Sequence, residues 1–148
     1  MPVDVRLLTD PFDPAAELQA FAAAHACAGG IASFLGQVRG GDDIEALELR
    51  HYQPLTLPGI ERLAHTAAER WGLDGLLVIH RSGVMHPGDP IVLVAAAARH
   101  RRDAFAAAEF AMDHLKSESW FWKRECAGGE WRWIEPRDVD FEDLKRWE

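Results

Sequence analysis

The chain has 148 residues, of which 48% are hydrophobic and 27% charged, and its formal net charge at pH 7 is −8. This length predicts one folded domain over residues 1–148, and the composition excludes a disordered protein. The acidic charge argues against nucleic acid or a membrane as a partner, although it leaves room for a small cationic pocket. No apolar run is long enough to span a bilayer and no signal peptide is recognisable, so we expect a cytoplasmic protein.

Hydrophobic patterning predicts a mixture of strands and helices. Strands are predicted where apolar and polar residues alternate or short apolar runs lie between turns, over residues 1–9 (an edge strand), 31–39, 45–52, 76–80, 91–98, 122–125 and 130–134. Helices are predicted from caps and helical spacing, from Asp13-Pro14 to about His25, from Pro58 to Gly72, and over residues 102–117. The charged residues 136–148 predict a loose tail or a short helix. The expected class is therefore α+β, with a mixed, mainly antiparallel sheet and helices packed against it.

The stretch from His114 to Glu125 combines lysines with aromatic residues. Lys116 and Lys123 flank an aromatic triplet at residues 120–122. An ammonium held against aromatic walls loses hydration, and it can then act as a nucleophile or a general base. The alternative is that the tryptophans belong to the core and the lysines extend over them into water. These twelve residues alone favour the alternative.

Further basic residues lie at the ends of predicted elements. Arg39 closes the second predicted strand, and residues 99–102 lie where a strand is followed by a helix. A helix start carries free N–H groups and a positive dipole, so cations there are unfavourable unless an anion binds. His100 and Arg101 therefore suggest a phosphate or carboxylate site, although solvated charges explain them about equally well. For Arg102 the solvated interpretation is favoured.

Several other site types are not supported by the sequence. The histidines lack the spacing of zinc ligands, and no nucleotide-binding loop or hydrolase elbow is found, so we expect no metal and no cofactor. His80, in an apolar strand, is expected to be a core histidine. Cys27 is expected in the core, and Cys126 nearer the surface.

Five segments, in order and spacing, resemble one family. They are Gly30 to Arg39, Leu49 to Tyr52, Val78 to Gly83 with Pro87 to Asp89, Ala98 to Arg101, and Lys116 to Glu125. The family is the large, catalytic subunit of molybdopterin synthase, and the resemblance extends from about Val3 to Trp133.

The resemblance implies a sulfurtransferase of molybdenum-cofactor biosynthesis that converts cyclic pyranopterin monophosphate to molybdopterin. Sulfur comes from a thiocarboxylate on the C-terminal Gly-Gly of a small ubiquitin-like subunit. Two large subunits are expected to form a homodimer, with one small subunit at each outer end to complete a heterotetramer. A non-catalytic binding protein for a ubiquitin-like partner or a small anion is the alternative.

The resemblance also implies roles for individual residues. Lys116 is the expected general acid/base or transient covalent partner, and Lys123 its electrostatic support. The expected substrate-binding residues are Arg39, His100, Arg101, Arg124 and Arg137. The expected pocket or supporting residues are Phe34, Met112 and Glu125, of which Phe34 and Met112 shape either the pocket or the dimer contact. Arg124 and Glu125 are expected to orient the lysines. Trp120, which replaces a smaller residue, is expected to narrow or re-line the pocket.

Overall fold

A computed structural model describes residues 3–41, 43–117, 120–135 and 138–148. The strands are β1 Val3–Leu8, β2 Gly30–Gln37, β3 Ile44–His51, β4 Gly75–Arg81, β5 Gly83–Met85, β6 Pro90–Ala98, β7 Phe121–Ala127 and β8 Glu130–Ile134. The helices are α1 Pro14–Ala24, α2 Gln53–Trp71, α3 Arg101–Ser117 and α4 Asp138–Lys145. This mixture confirms the α+β class. The expected Arg137 lies outside the described residues.

The strands divide between two four-stranded sheets instead of forming one. The first sheet has the order β1-β4-β6-β2, in which β1 is parallel to β4 and the other pairs are antiparallel. The second has the order β5-β3-β7-β8 and is antiparallel. β1 is an edge strand, as predicted, and β2 forms the opposite edge.

The main core lies between the first sheet and the helices α2 and α3. Every residue of β4 is buried, because α2 and α3 cover one face of the sheet and α1 packs on the other. Leu76 and Val78 face α2 and α3, whereas Leu77 and Ile79 face α1. A smaller apolar cluster joins the two sheets and contains Val38, Leu47, Leu49 and Met85.

The helix α2 begins at Gln53, so the predicted start at Pro58 is wrong. The carbonyl of Tyr52 accepts the N–H of Thr56 at 2.9 Å, and the fully buried Thr56 hydroxyl donates to the carbonyl of Trp120 at 2.8 Å. These contacts stabilise a first turn that contains Pro54. The proline at the start of the helix is therefore Pro54, and Pro58 lies inside the helix.

Other local signals act as predicted. The Asp13 carboxylate caps α1 by accepting the N–H groups of Ala15 and Ala16 at 3.1 and 3.2 Å. Gly72 ends α2 with φ +57°. The predicted hairpin is confirmed as β7 and β8, and its turn residues Gly128 and Gly129 have φ +60° and +78°, the backbone that this tight turn requires.

The C-terminal residues form the short helix α4, one of the two predicted alternatives. The chain beyond it is fixed to α3 through Asp113, which accepts Nε1–H of Trp147 and Nη2–H of Arg146, each at 2.6 Å. The Trp147 ring also packs edge-on against Trp71 and Phe110. The charged C-terminal segment is therefore part of the packed structure.

The cysteines have the opposite burial to the one expected. Cys27 is exposed, because it lies where the chain turns at the surface after α1, and Cys126 is buried within β7. Both are free thiols.

Candidate functional site

The two lysines lie on either side of the segment that links α3 to β7. Lys116 is in the last turn of α3, and Lys123 is in β7, where it pairs with Leu49 of β3. Both lysines are exposed. Because side chains alternate along a strand, Lys123 shares its face of β7 with Phe121.

Two histidines contact the ring of Phe121. The sequence did not indicate that either of them lies near the lysines. His80 stacks on it with ring centroids 4.0 Å apart and an interplanar angle of 17°. His51 meets it edge-on at 5.8 Å and 63°. We call Lys116, Lys123, His51, His80 and Phe121 the lysine cluster.

His80 is a neutral imidazole within electrostatic reach of Lys116. It is 7% exposed, and its Nδ1 donates to the carbonyl of Arg81 at 3.0 Å, which leaves Nε2 unprotonated. Burial lowers the pKa of His80 to about 4; the hydrogen bond opposes this shift, and the charges of His51 and Lys116 add to it. The prediction of a buried histidine is confirmed, and the charge effect of Lys116 links His80 to that lysine.

Arg39 lies at the same end of the first sheet as the lysine cluster. It follows β2, which ends level with the part of β6 that pairs with His80. Two backbone hydrogen bonds fix the preceding Val38, which donates to Asp89 at 2.9 Å and accepts from Gly88 at 2.8 Å. The exposed Arg39 side chain is therefore presented from an anchored loop.

His100 and Arg101 lie at the other end of α3. The backbone of Gly30 passes the helix start so closely that a Cβ there would lie 3.4 Å from the Cα of Arg101. The exposed side chains line a shallow depression with Arg102, Asp103 and Phe105. At about 1.5 Å per residue, the start of α3 is roughly 22 Å from Lys116. Within one copy of the chain, His100 and Arg101 therefore lie far from the lysines.

Arg124 lies on the opposite face of β7 from Lys123. Its Nε donates to Glu48, and its guanidinium lies 4.6 Å from the ring centroid of Trp131. Burial opposes ionisation of Glu48, but the hydrogen bonds from Arg124 and Arg50 outweigh it and lower the pKa of Glu48. Arg124 thus binds Glu48 and Trp131 on the face of β7 that is opposite to Lys123.

The remaining expected residues have different surroundings. Glu125 shares the Lys123 face of β7, since the two are separated by one residue. Met112 is half-buried against the main core, and Phe34 is 43% exposed on the edge strand β2. Of these three residues, Glu125 is the one beside a lysine.

Trp120, which is expected to narrow or re-line the pocket, packs against α2. Its indole occupies the space next to Gly59, where a Cβ would overlap the ring. The ring is half-buried against the main core. Gly59 accommodates the size of this side chain.

Neither a metal cluster nor a membrane helix is found in the part of the chain that the structure describes. Within these residues, no three His, Cys, Asp or Glu side chains are grouped so that they could hold a metal ion. None of the described helices is both long and apolar enough to cross a membrane.

Comparison with known proteins identifies the family. The model of a family described as "MoaE protein" matches residues 7–118, well over half of the chain. The chain belongs to the MoaE family. This membership confirms the resemblance that the five sequence segments carry.

Relatives of this MoaE chain are named as enzyme subunits. Two proteins called molybdopterin synthase catalytic subunit, from Cereibacter sphaeroides and Mesorhizobium japonicum, are 45% and 46% identical to it. Each alignment covers 97% of this chain, with 99% of the first relative and 92% of the second. The prediction of a molybdopterin synthase catalytic subunit is therefore confirmed.

Solved structures show the same MoaE fold. Molybdopterin cofactor biosynthesis protein E from Burkholderia multivorans has a TM-score of 0.84 at 41% identity, covering 99% of this chain and 97% of that one. A complex of subunits 1 and 2 of molybdopterin-converting factor from Helicobacter pylori has a TM-score of 0.79 at 21% identity. It covers 90% of this chain and 91% of that chain, and at this identity the likeness shows the fold alone.

Proposed function

We propose that this MoaE-family chain converts cyclic pyranopterin monophosphate to molybdopterin with sulfur from the thiocarboxylate of a small ubiquitin-like subunit. The observation that carries the proposal is that Lys116 acts electrostatically on His80, whose ring stacks on Phe121, and that Lys123 shares the Phe121 face of β7. The relatives of the chain are named catalytic subunits. A purely binding protein has no need of two lysines placed in this way. Membership of the family supports the class of reaction. The two lysines supply the amino groups that the reaction needs for acid–base and electrostatic catalysis.

The charges of the lysine cluster suit the proposed ligands. A cyclic phosphate and a thiocarboxylate are both anions, which the overall charge of −8 repels unless cations are concentrated locally. Lys116, Lys123 and Arg39 provide such a group at one end of the fold. Lys116 acts as general acid/base or transient covalent partner, and Lys123 stabilises developing negative charge.

The small subunit is proposed as the sulfur donor. In the Helicobacter pylori complex of subunits 1 and 2, the chain that shares this fold is paired with a second subunit, and we propose the same kind of pairing here. A C-terminal Gly-Gly carries no side chains, so it can approach two exposed lysines closely. Each sulfur transfer leaves a carboxylate on the carrier, and two transfers build the dithiolene.

A homodimer is proposed because it would unite the two separated groups of cations. The edge strand β2 exposes Ile31, Phe34 and Leu35 by 37%, 43% and 42%. An uncovered apolar edge favours association with another strand. Antiparallel pairing of β2 with β2 of a second copy would cover these side chains. It would also bring His100 and Arg101 of the second copy toward Lys116, because β2 and α3 start at the same end.

The catalytic assignment is tested by replacing single lysines in a reconstituted reaction. The chain has three lysines, and Lys145 on α4 is an exposed lysine away from the cluster. With the pterin monophosphate and a thiocarboxylated small subunit, we expect Lys116→Ala to lower the rate of dithiolene formation by roughly 10³-fold. Lys145→Ala should keep the wild-type rate, and both variants should bind the small subunit.

Two results would contradict the proposal. Full turnover by Lys116→Ala would remove Lys116 from the mechanism. A wild-type protein that binds the small subunit in a stable complex but forms no product would favour the binding-protein alternative.

A further inference from the structure

We propose that His80 is a positioning residue that fixes Lys116 and Lys123 relative to each other through the ring of Phe121. The inference rests on the proposed function, since it gives His80 a part in placing the two lysines that act there. His80 is far from both lysines in the sequence, because it lies on β4, whereas Lys116 lies on α3 and Lys123 on β7.

Phe121 lies between the two lysines in the sequence. It is the first residue of β7, and Lys123 follows it on the same face of the strand. Lys116 lies just before the end of α3 at Ser117. Phe121 is therefore the aromatic anchor on the Lys123 face of β7, whereas Trp120 anchors the chain to α2.

The ring of Phe121 is fixed by contacts with two histidines. The phenyl ring has the imidazole of His80 stacked on it and the imidazole of His51 against its edge. Aromatic contacts of this kind stabilise the ring position beyond the effect of buried area. His80 is itself fixed in orientation by its hydrogen bond to the carbonyl of Arg81. Its ring is thus a rigid surface, and β4, from which it extends, is entirely buried.

His80 places a polar imidazole in the otherwise mainly apolar strand β4. Burying a polar ring is costly, so a histidine there calls for a reason beyond filling space. Among the described groups, His51 of β3 and Lys116 of α3 are the titratable ones whose charges act on His80. A neutral imidazole keeps the stacked ring in place without adding a positive charge beside Lys116.

The kinetic test compares three variants in the reconstituted reaction. His80→Leu removes the stacked ring, and His80→Phe keeps a ring but loses the hydrogen bond. Ile79→Ala is the matched control, because Ile79 is adjacent on β4, fully buried and directed toward α1. We expect His80→Leu to lower kcat about tenfold at unchanged KM, the change typical of misplaced catalytic groups. His80→Phe should restore most of that loss, and Ile79→Ala should keep the wild-type kcat while being less stable.

An activity-independent measurement separates this inference from the proposed function. The lysines are dimethylated with ¹³C, and the resonances of Lys116, Lys123 and Lys145 are assigned by single replacements. His80→Leu should shift the first two resonances and His80→Phe should return them, whereas Lys145 stays fixed. If His80→Leu does not fold, Phe121→Leu removes the same stack from the other side and should give the same shifts.

The outcomes are distinct. Unshifted lysine resonances in a folded His80→Leu protein, or equal losses of kcat in His80→Leu and Ile79→Ala, would overturn the positioning role. Shifted resonances in a protein whose wild type forms no product would support the role of His80 and refute the proposed function.

Discussion

At the scale of single residues, neighbours in one motif have different surroundings. Lys123 and Arg124 were both expected at the substrate, yet Arg124 binds Glu48 and stacks on Trp131 on the other face of β7. The sequence contained the signal for this separation, because a strand was predicted there and adjacent side chains in a strand point to opposite faces. The stacking of His80 on Phe121 could not be predicted in the same way. It joins β4 and β7, which are far apart in the sequence.

His80 should make the folded protein sensitive to acid. Its pKa is lowered from 6.5 to about 4 in the folded chain, so below pH 6.5 the unfolded chain binds a proton that the folded chain does not. Stability should therefore fall as the pH is lowered through this range, by roughly 3 kcal/mol in total from this group. The measurement is urea unfolding at several pH values between about 7 and 4.

The control for this prediction is His80→Phe, which has no titrating group at the position. Its stability should fall less steeply than that of the wild type over the same range. Parallel curves for the two proteins would show that His80 is not the buried neutral group described here.

At the scale of secondary structure, elements with strong local signals were predicted and those that depend on distant contacts were not. Asp13, Gly72 and the Gly128-Gly129 turn each determine a local backbone and were recognised. The start of α2 depends on Thr56, which binds the distant Trp120 carbonyl. The three-residue strand β5 is too short for any periodicity and is defined by its pairing with β3.

The C-terminal segment should contribute measurably to stability. We expect Trp147→Ala to destabilise the protein by about 2 kcal/mol, because it removes a half-buried ring and a hydrogen bond to Asp113. Urea unfolding gives the free energy, and amide exchange should show faster exchange in α4. An unchanged free energy together with unchanged exchange would mean that the segment is not held by this ring.

At the scale of the whole molecule, the fold places His100 and Lys116 at opposite ends of α3, although the sequence motifs assign both residues to substrate binding or catalysis. The α+β class and most strands followed from patterning, whereas the division into two sheets depends on which strands pair. The predicted helix over residues 102–117 already implied that its ends are more than 20 Å apart, by about 1.5 Å per residue. A site containing both His100 and Lys116 therefore requires either two separate ligands or two copies of the chain. The expectation of a single domain over residues 1–148 stays a prediction.

The most direct test of the account is complementation between two inactive variants, Lys116→Ala and Arg101→Ala, carried on differently tagged chains. If the site is completed by two copies, the purified mixed dimer has one intact site and should regain about half of the wild-type rate. Light scattering should give twice the 16.5 kDa of one chain for the dimer. A mixed dimer of the correct mass that remains as inactive as its parents would contradict the shared site, and so would a wild-type chain that is active as a monomer.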